Sequence, residues 1–265
     1  MRRSQRFKKS YRVKPKKSLL RNKFFWYFIL FGLFLAGSFY LLFLSRFSQI
    51  QKIEIAGNKT IDTLELQNIV QKESMQKILT FQSSTILLVD TKKIQTALLN
   101  HFPVLESAEV IRKLPKPIIS VIVKERKALS AVCRGDICFA FDGNGVIFEH
   151  ILPTGFFIRD ERTSVPEFLA GAQVFSPEEA ADTTSIKQKL SEDLKLEAKE
   201  FILQDNKRLN ALMQEGWSIF FNLKEKVSWQ TTELALVLNE KIPQEKRKTL
   251  DYVDLRFTRV YFKYR

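Results

Sequence analysis

Few residues in this chain have chemistry to offer. Ser74-Met75-Gln76-Lys77 reproduces the Ser-x-x-Lys spacing in which an acylating serine works beside a lysine. The companion Ser-Asp-Asn and Lys-Thr-Gly elements are absent from the sequence, and Lys248-Thr249 runs into Leu250. The chain has two histidines, His101 and His150, and neither has a sequence neighbour suited to general acid–base work. His101 falls where a helix should end, a position that favours a cation through the helix dipole. Cys133 and Cys138 lie at the loose edge of metal-ligand spacing, and the histidines form no His-x-x-x-His pair. Facing positions on a hairpin favour a disulfide between Cys133 and Cys138 over a metal, with free thiols the other reading. Arg134-Gly135-Asp136 between them reads as a turn built from Gly and Asp. There is no glycine-rich phosphate loop. The expectation is a protein with no catalytic residues, no cofactor and no metal.

What must be positioned is therefore a surface, and the charge distribution says where. Of 43 Lys and Arg, eleven fall in residues 1–23, which hold no acid; the net charge of +14 drops to +3 for the remainder. Residues 24–45 carry no charged side chain and, as a helix, reach roughly 33 Å, enough to cross a bilayer core. Trp26, Tyr27 and Tyr40 suit its interfaces. A cleaved signal peptide fits less well: its apolar stretch is shorter, and the small residues Ala36-Gly37-Ser38 lie mid-span. The basic tail then stays in the cytoplasm, beside anionic lipid head groups, and no nucleic acid is expected as a partner.

Residues 50–56 alternate as a strand before Gly57-Asn58. Asp62 and Glu65 have capping-box spacing, and Leu66, Ile69 and Val70 form a helical stripe. Residues 74–85 read as a loop. Thr91 is placed to cap a second helix carrying Ile94, Ala97 and Leu98 and ending near Pro103. Strands follow at 107–112 and 118–124. Strand, helix, helix, strand, strand makes a small α+β module. Beyond it, 127–148 reads as hairpins, 153–184 as irregular, 186–214 as a solvated helix, and Trp217, Ile219 and Phe221 as a strand. Thr231 or Thr232 would cap a helix through Leu238, before two closing strands.

Three stretches carry a resemblance. They are Ile53-Glu54-Ile55-Ala56-Gly57-Asn58; Phe102-Pro103-Val104 with Ala108-Glu109-Val110; and Pro117 to Val123 with Lys124-Glu125-Arg126. Together they resemble the POTRA domain of FtsQ/DivIB bacterial division proteins. The Asp142-Gly143-Asn144-Gly145 stretch leading to Phe148, and Asp254-Leu255-Arg256 with Val260-Tyr261-Phe262-Lys263, extend the likeness.

The resemblance implies a basic cytoplasmic tail (1–23), a transmembrane helix (24–45), a POTRA domain (46–125) and a β-rich domain with flanking helices (126–265). It implies a bitopic divisome scaffold at the division septum of the cytoplasmic membrane, binding an FtsB/FtsL-type coiled-coil pair by strand addition. The binding strand maps to Phe257–Phe262 beside Arg256, giving Arg256, Phe257, Arg259, Val260, Tyr261 and Phe262 as contacts. From the residues alone, 257–265 read as a last strand with Phe257, Arg259, Tyr261, Lys263 and Arg265 on one face and Thr258, Val260, Phe262 and Tyr264 on the other, suited to an acidic, partly apolar segment. The same cations also read as gatekeepers against aggregation. The competing classes are a membrane-anchored cell-wall enzyme with Ser74 or a cysteine as nucleophile and a POTRA-type translocation or assembly factor.

Overall fold

A computed structural model describes residues 23–78, 81–153, 155–162, 168–205 and 207–265. The basic tail, apart from Lys23, lies outside them. Contacts divide the described residues into two units, one within 23–52, 74–89 and 112–119, the other within 53–73, 90–111 and 120–265.

The first unit holds an apolar helix, α1 (Lys23–Phe39), which continues through a wider turn, Tyr40–Leu44. From Lys23 to Phe43 it spans 21 residues, is long and apolar enough to cross a membrane, and buries none of its apolar face. Its last carbonyls find donors. Ser45 Oγ donates to Leu41 O, Ser83 Oγ to Phe43 O (2.8 Å) and Thr85 Oγ1 to Leu42 O (3.2 Å). Ser83 closes a hairpin of two short strands, β2 (Gln76–Ile78) and β3 (Phe81–Ser83). The stretch expected as a loop, 74–85, thus carries paired strands at 76–78 and 81–83, and its hydroxyls serve the helix-end carbonyls.

Most of a three-stranded sheet falls in the second unit, in the order β1 (Lys52–Ala56), β5 (Ile118–Glu125), β4 (Leu105–Lys113). With it go helices α2 (Thr63–Ser74) and α3 (Thr91–His101). Leu66 and Val70 of α2, Ile94 and Leu98 of α3, and Val121 and Val123 of β5 are buried, the stripes expected from their spacing. Asp90, not Thr91, caps α3: its carboxylate accepts from the Lys92 and Lys93 N–H groups, which a carboxylate does better than a hydroxyl.

Two carboxylates tie the module's loops. Glu125 accepts from the N–H groups of Lys59, Thr60 and Ile61 and from the Thr60 hydroxyl. Partial burial works against the charge, but these four donors outweigh it and lower the Glu125 carboxyl from 4.5 to about 2. A depressed folded-state value contributes stability that is present above the unfolded value and lost as pH falls toward the folded one. Denaturant midpoints should therefore decline between about pH 4.5 and 2, and Glu125→Gln should flatten that part of the profile. A Gln variant with an unchanged profile would remove Glu125 from the account. Next to it, Arg126 donates through Nε to Pro103 O and through Nη1 to the Asp142 carboxylate, which also accepts from the Asn144 and Val146 N–H groups.

The rest of the unit is a nine-stranded sheet, in space β14 (Tyr261–Tyr264), β13 (Leu250–Asp254), β12 (Ser218–Asn222), β11 (Arg208–Met213), β10 (Ala198–Leu203), β9 (Ile158–Asp160), β6 (Ser130–Arg134), β7 (Ile137–Phe141) and β8 (Ile147–His150). Helices α4 (Pro177–Glu192) and α5 (Val227–Glu240) bury Ile186, Leu190, Leu234 and Leu238 in one core with Phe141, Phe201, Trp217, Ile219, Phe221 and Val253. The architecture is α+β: an N-terminal apolar helix, a POTRA-like module and a β-rich region with helices.

Three expectations need correction here. The helix lies earlier than 186–214 and is shorter. Ser176, Pro177 and Glu179 form a complete capping box that starts α4 at 177. Residues 198–203 and 208–213 are strands, joined where the Asp205 carboxylate accepts from the Lys207 and Arg208 N–H groups. Phe201, Leu203, Leu209, Ala211 and Met213 are buried at a period of two, which the interleaved charges hid. The supposedly irregular stretch 153–184 contains β9, parallel to both its neighbours. Thr231 and Thr232 sit inside α5, their hydroxyls donating back to Val227 O and Ser228 O; Lys226 occupies the cap position.

Candidate functional site

Sheet edges decide where a second chain can add. At one edge, β8 is covered at its start: Ile147 N–H donates to Ala172 O, and Gly171 N–H donates to Ile147 O. Gly145 makes this close approach possible. Its φ is +75°, and a Cβ there would stand 2.1 Å from Phe175 O.

The other edge is β14, and among the described residues no strand lies beyond it. It pairs antiparallel with β13: Asp254 with Tyr261, Val253 with Phe262, Tyr252 with Lys263. Arg265 N–H donates to Thr249 O at 2.8 Å, so odd-numbered residues turn their backbone groups toward β13. By the alternation of an antiparallel ladder, Phe262 and Tyr264 present N–H and C=O outward. A row of outward groups on an end strand is a template for strand addition.

Side chains around the edge sort by face. Val260, Phe262 and Tyr264 pack against the core, while Tyr261 and Lys263 are exposed. That alternation matches the expectation for 260–264. For Phe257, Thr258 and Arg259 it does not: these residues belong to the turn between β13 and β14, because the chain must reverse after Asp254. Phe257 (55% exposed) and Tyr261 (54% exposed) nevertheless meet across the turn with ring centroids 5.9 Å apart. Arg259 is exposed beside them.

Arg256 is fixed. Its guanidinium donates twice to the Asp254 carboxylate and lies 5.2 Å over the Phe220 ring and 5.6 Å over Phe257. The hydrogen bonds to Asp254 raise its already high pKa, against a smaller opposing effect of burial. Lys263 pairs with Asp251 at 3.4 Å, and Arg265 donates to Gly216 O. Asp254 belongs to the Asp254-Leu255-Arg256 stretch read from the sequence; Phe220 and Tyr252, stacked at 5.3 Å, also belong to this site and were not singled out from sequence. The usable signal was there: Ser218, Phe220 and Asn222 alternate with the apolar face of Trp217, Ile219 and Phe221.

The remaining candidates lie elsewhere. Ser74 is 2% exposed at the end of α2, poorly placed to meet a substrate. His101 and His150 are exposed at the ends of α3 and β8, and among the described residues no three metal-ligating side chains gather. Cys133 and Cys138 face each other on β6 and β7 and are joined by a disulfide, with S–S 2.13 Å. Gly135 supplies the turn between them at φ +59°.

The fold and the edge define a POTRA-bearing protein with an N-terminal apolar helix and a strand-presenting sheet. Residues 48–126 match the family model described as POTRA domain, FtsQ-type. This match covers less than half of the chain, and what it shows is a POTRA domain of the FtsQ type. No curated protein matches the chain.

Proposed function

We propose that the chain is a non-enzymatic bitopic scaffold of the divisome that captures an FtsB/FtsL-type coiled-coil pair by strand addition at β14. The observation that carries this reading is the asymmetry of the nine-stranded sheet: one edge is met at Gly145 and Ile147 by residues 171–175, while the other offers the outward groups of Phe262 and Tyr264. Phe257, Arg259 and Tyr261 flank that edge with aromatic and cationic contacts, and Arg256, held by Asp254, sets the start of the turn. Such a surface suits an acidic, partly apolar segment. In this reading residues 1–23 are cytoplasmic and meet anionic lipid head groups, 24–45 cross the cell membrane, and 46–125 and 126–265 are the POTRA and β domains outside it, at the septum.

Hydrogen exchange on the full chain in detergent, with and without the coiled-coil pair, tests the mechanism. The Phe262 and Tyr264 amides should exchange on the order of 100-fold more slowly in the complex, as new ladder bonds form. Binding with no added protection at these two amides would sink strand addition at β14.

A further inference from the structure

The first unit has a composition of its own. Outside the apolar helix it comprises residues 46–52, 74–89 and 112–119. These segments contain Arg46, Lys52, Lys77, Arg112, Lys113 and Lys116 and no Asp or Glu. They also expose large apolar side chains: Phe47, Met75, Leu87, Leu88 and Leu114. Exposed apolar groups among cations of a single sign suit the boundary between lipid head groups and acyl chains.

Hydrogen bonds tie all three segments to the point where the helix ends. Ser83 and Thr85 donate to Phe43 O and Leu42 O. Ile50 N–H donates to Ser84 O, Ile86 N–H to Ser48 O, and Gln51 N–H to Pro117 O. Arg112 then donates to Leu87 O. The described residues of 75–89 and 112–117 are thus fastened to the first seven residues after the apolar stretch.

We propose that these segments form a second membrane contact, a basic and apolar foot resting on anionic phospholipid head groups at the face where the helix emerges. This rests on the reading that residues 24–45 cross the membrane. Leu87, Leu88, Leu114 and Phe47 enter the interface, and the cations meet lipid phosphates, each attraction confined to within a Debye length of the surface. The foot would hold the neck of the protein at the bilayer instead of leaving the helix a free swivel.

The test uses the full chain in nanodiscs of phosphatidylcholine alone or of equal parts phosphatidylcholine and phosphatidylglycerol. A nitroxide is placed, one at a time, at Leu35→Cys, Leu87→Cys, Leu114→Cys and, as an exposed control in the other unit, Leu152→Cys (82% exposed). Collisions with oxygen and with a nickel complex report depth. In charged discs the oxygen-to-nickel ratio at 87 and 114 should exceed that at 152 several-fold. It should fall toward that value without phosphatidylglycerol or in Lys113→Glu/Lys116→Glu. Solvent-like labels at 87 and 114 with a lipid-like label at 35 would overturn the foot and leave the span standing. A solvent-like label at 35 would overturn the span, and the foot with it. Shielding at 87 and 114 that appears only when a soluble polyanion is added would assign the patch to a wall polymer and overturn the lipid contact.

Discussion

Phe262→Pro should bind the coiled-coil pair on the order of 100-fold more weakly than Phe262→Ala, although both variants lose the same ring. Phe262 is partly buried against the core, so either change costs packing, and the comparison cancels that cost. What differs is one backbone group. The Phe262 N–H points away from β13, so proline sacrifices no internal ladder bond, and a proline whose missing N–H faces solvent is tolerated on an edge strand. An incoming strand, however, finds a ring where it needs a donor. Losing that bond and leaving the partner's carbonyl unsatisfied should cost about 2.7 kcal/mol, which is the hundredfold. Titration calorimetry gives the two Kd values, and denaturant midpoints for the two should agree. Equal Kd values would refute strand addition at this residue. Arg259→Glu is the companion measurement: an exposed cation at the rim should act mainly on the association rate and its salt dependence.

Local signals in the sequence were enough for the POTRA module, and the reason is visible in its contacts. Gly57, Glu125 and Arg126 each act within a short structural reach, one through a backbone conformation and two through carbonyl and amide partners on neighbouring loops. The apolar stripes of α2 and α3 are regular because each helix has one buried side. Strands β10 and β11 defeated the same reasoning. Their charged residues, including the half-buried Arg159–Glu200 pair linking β9 to β10, lie on the face of the sheet away from the helices and break the apolar run. The parallel strand β9 is only three residues long, and what makes it a strand is its two neighbours, both distant in sequence. The open edge was legible as an alternating terminal segment. Its length was not, since the Asp254–Arg256 clamp and the turn after it consume Phe257 to Arg259, residues whose types suit a strand well.

Gly57→Ala should be the most damaging single-atom change in the POTRA module. Gly57 has φ +94°, which an alanine adopts only at a cost of about 1 kcal/mol. A Cβ would also stand 2.0 Å from Val123 O and 3.2 Å from the Val123 carbonyl carbon. Those atoms are backbone of β5, the central strand of the three, and no rotamer change can move them aside. The β1 end must therefore separate from β5, which exposes the turn that Glu125 ties down through Lys59, Thr60 and Ile61. Together these effects should remove about 4 kcal/mol, a large share of a small module's stability. Gly135→Ala supplies the control. Its φ is also positive, +59°, but no atom lies within 4 Å of its would-be Cβ, so only the conformational cost of about 1 kcal/mol applies. Denaturant midpoints of the two variants separate strain from collision. If Gly57→Ala proved no worse than Gly135→Ala, the packing of the Gly57-Asn58 turn against β5 would not be what holds this end of the sheet.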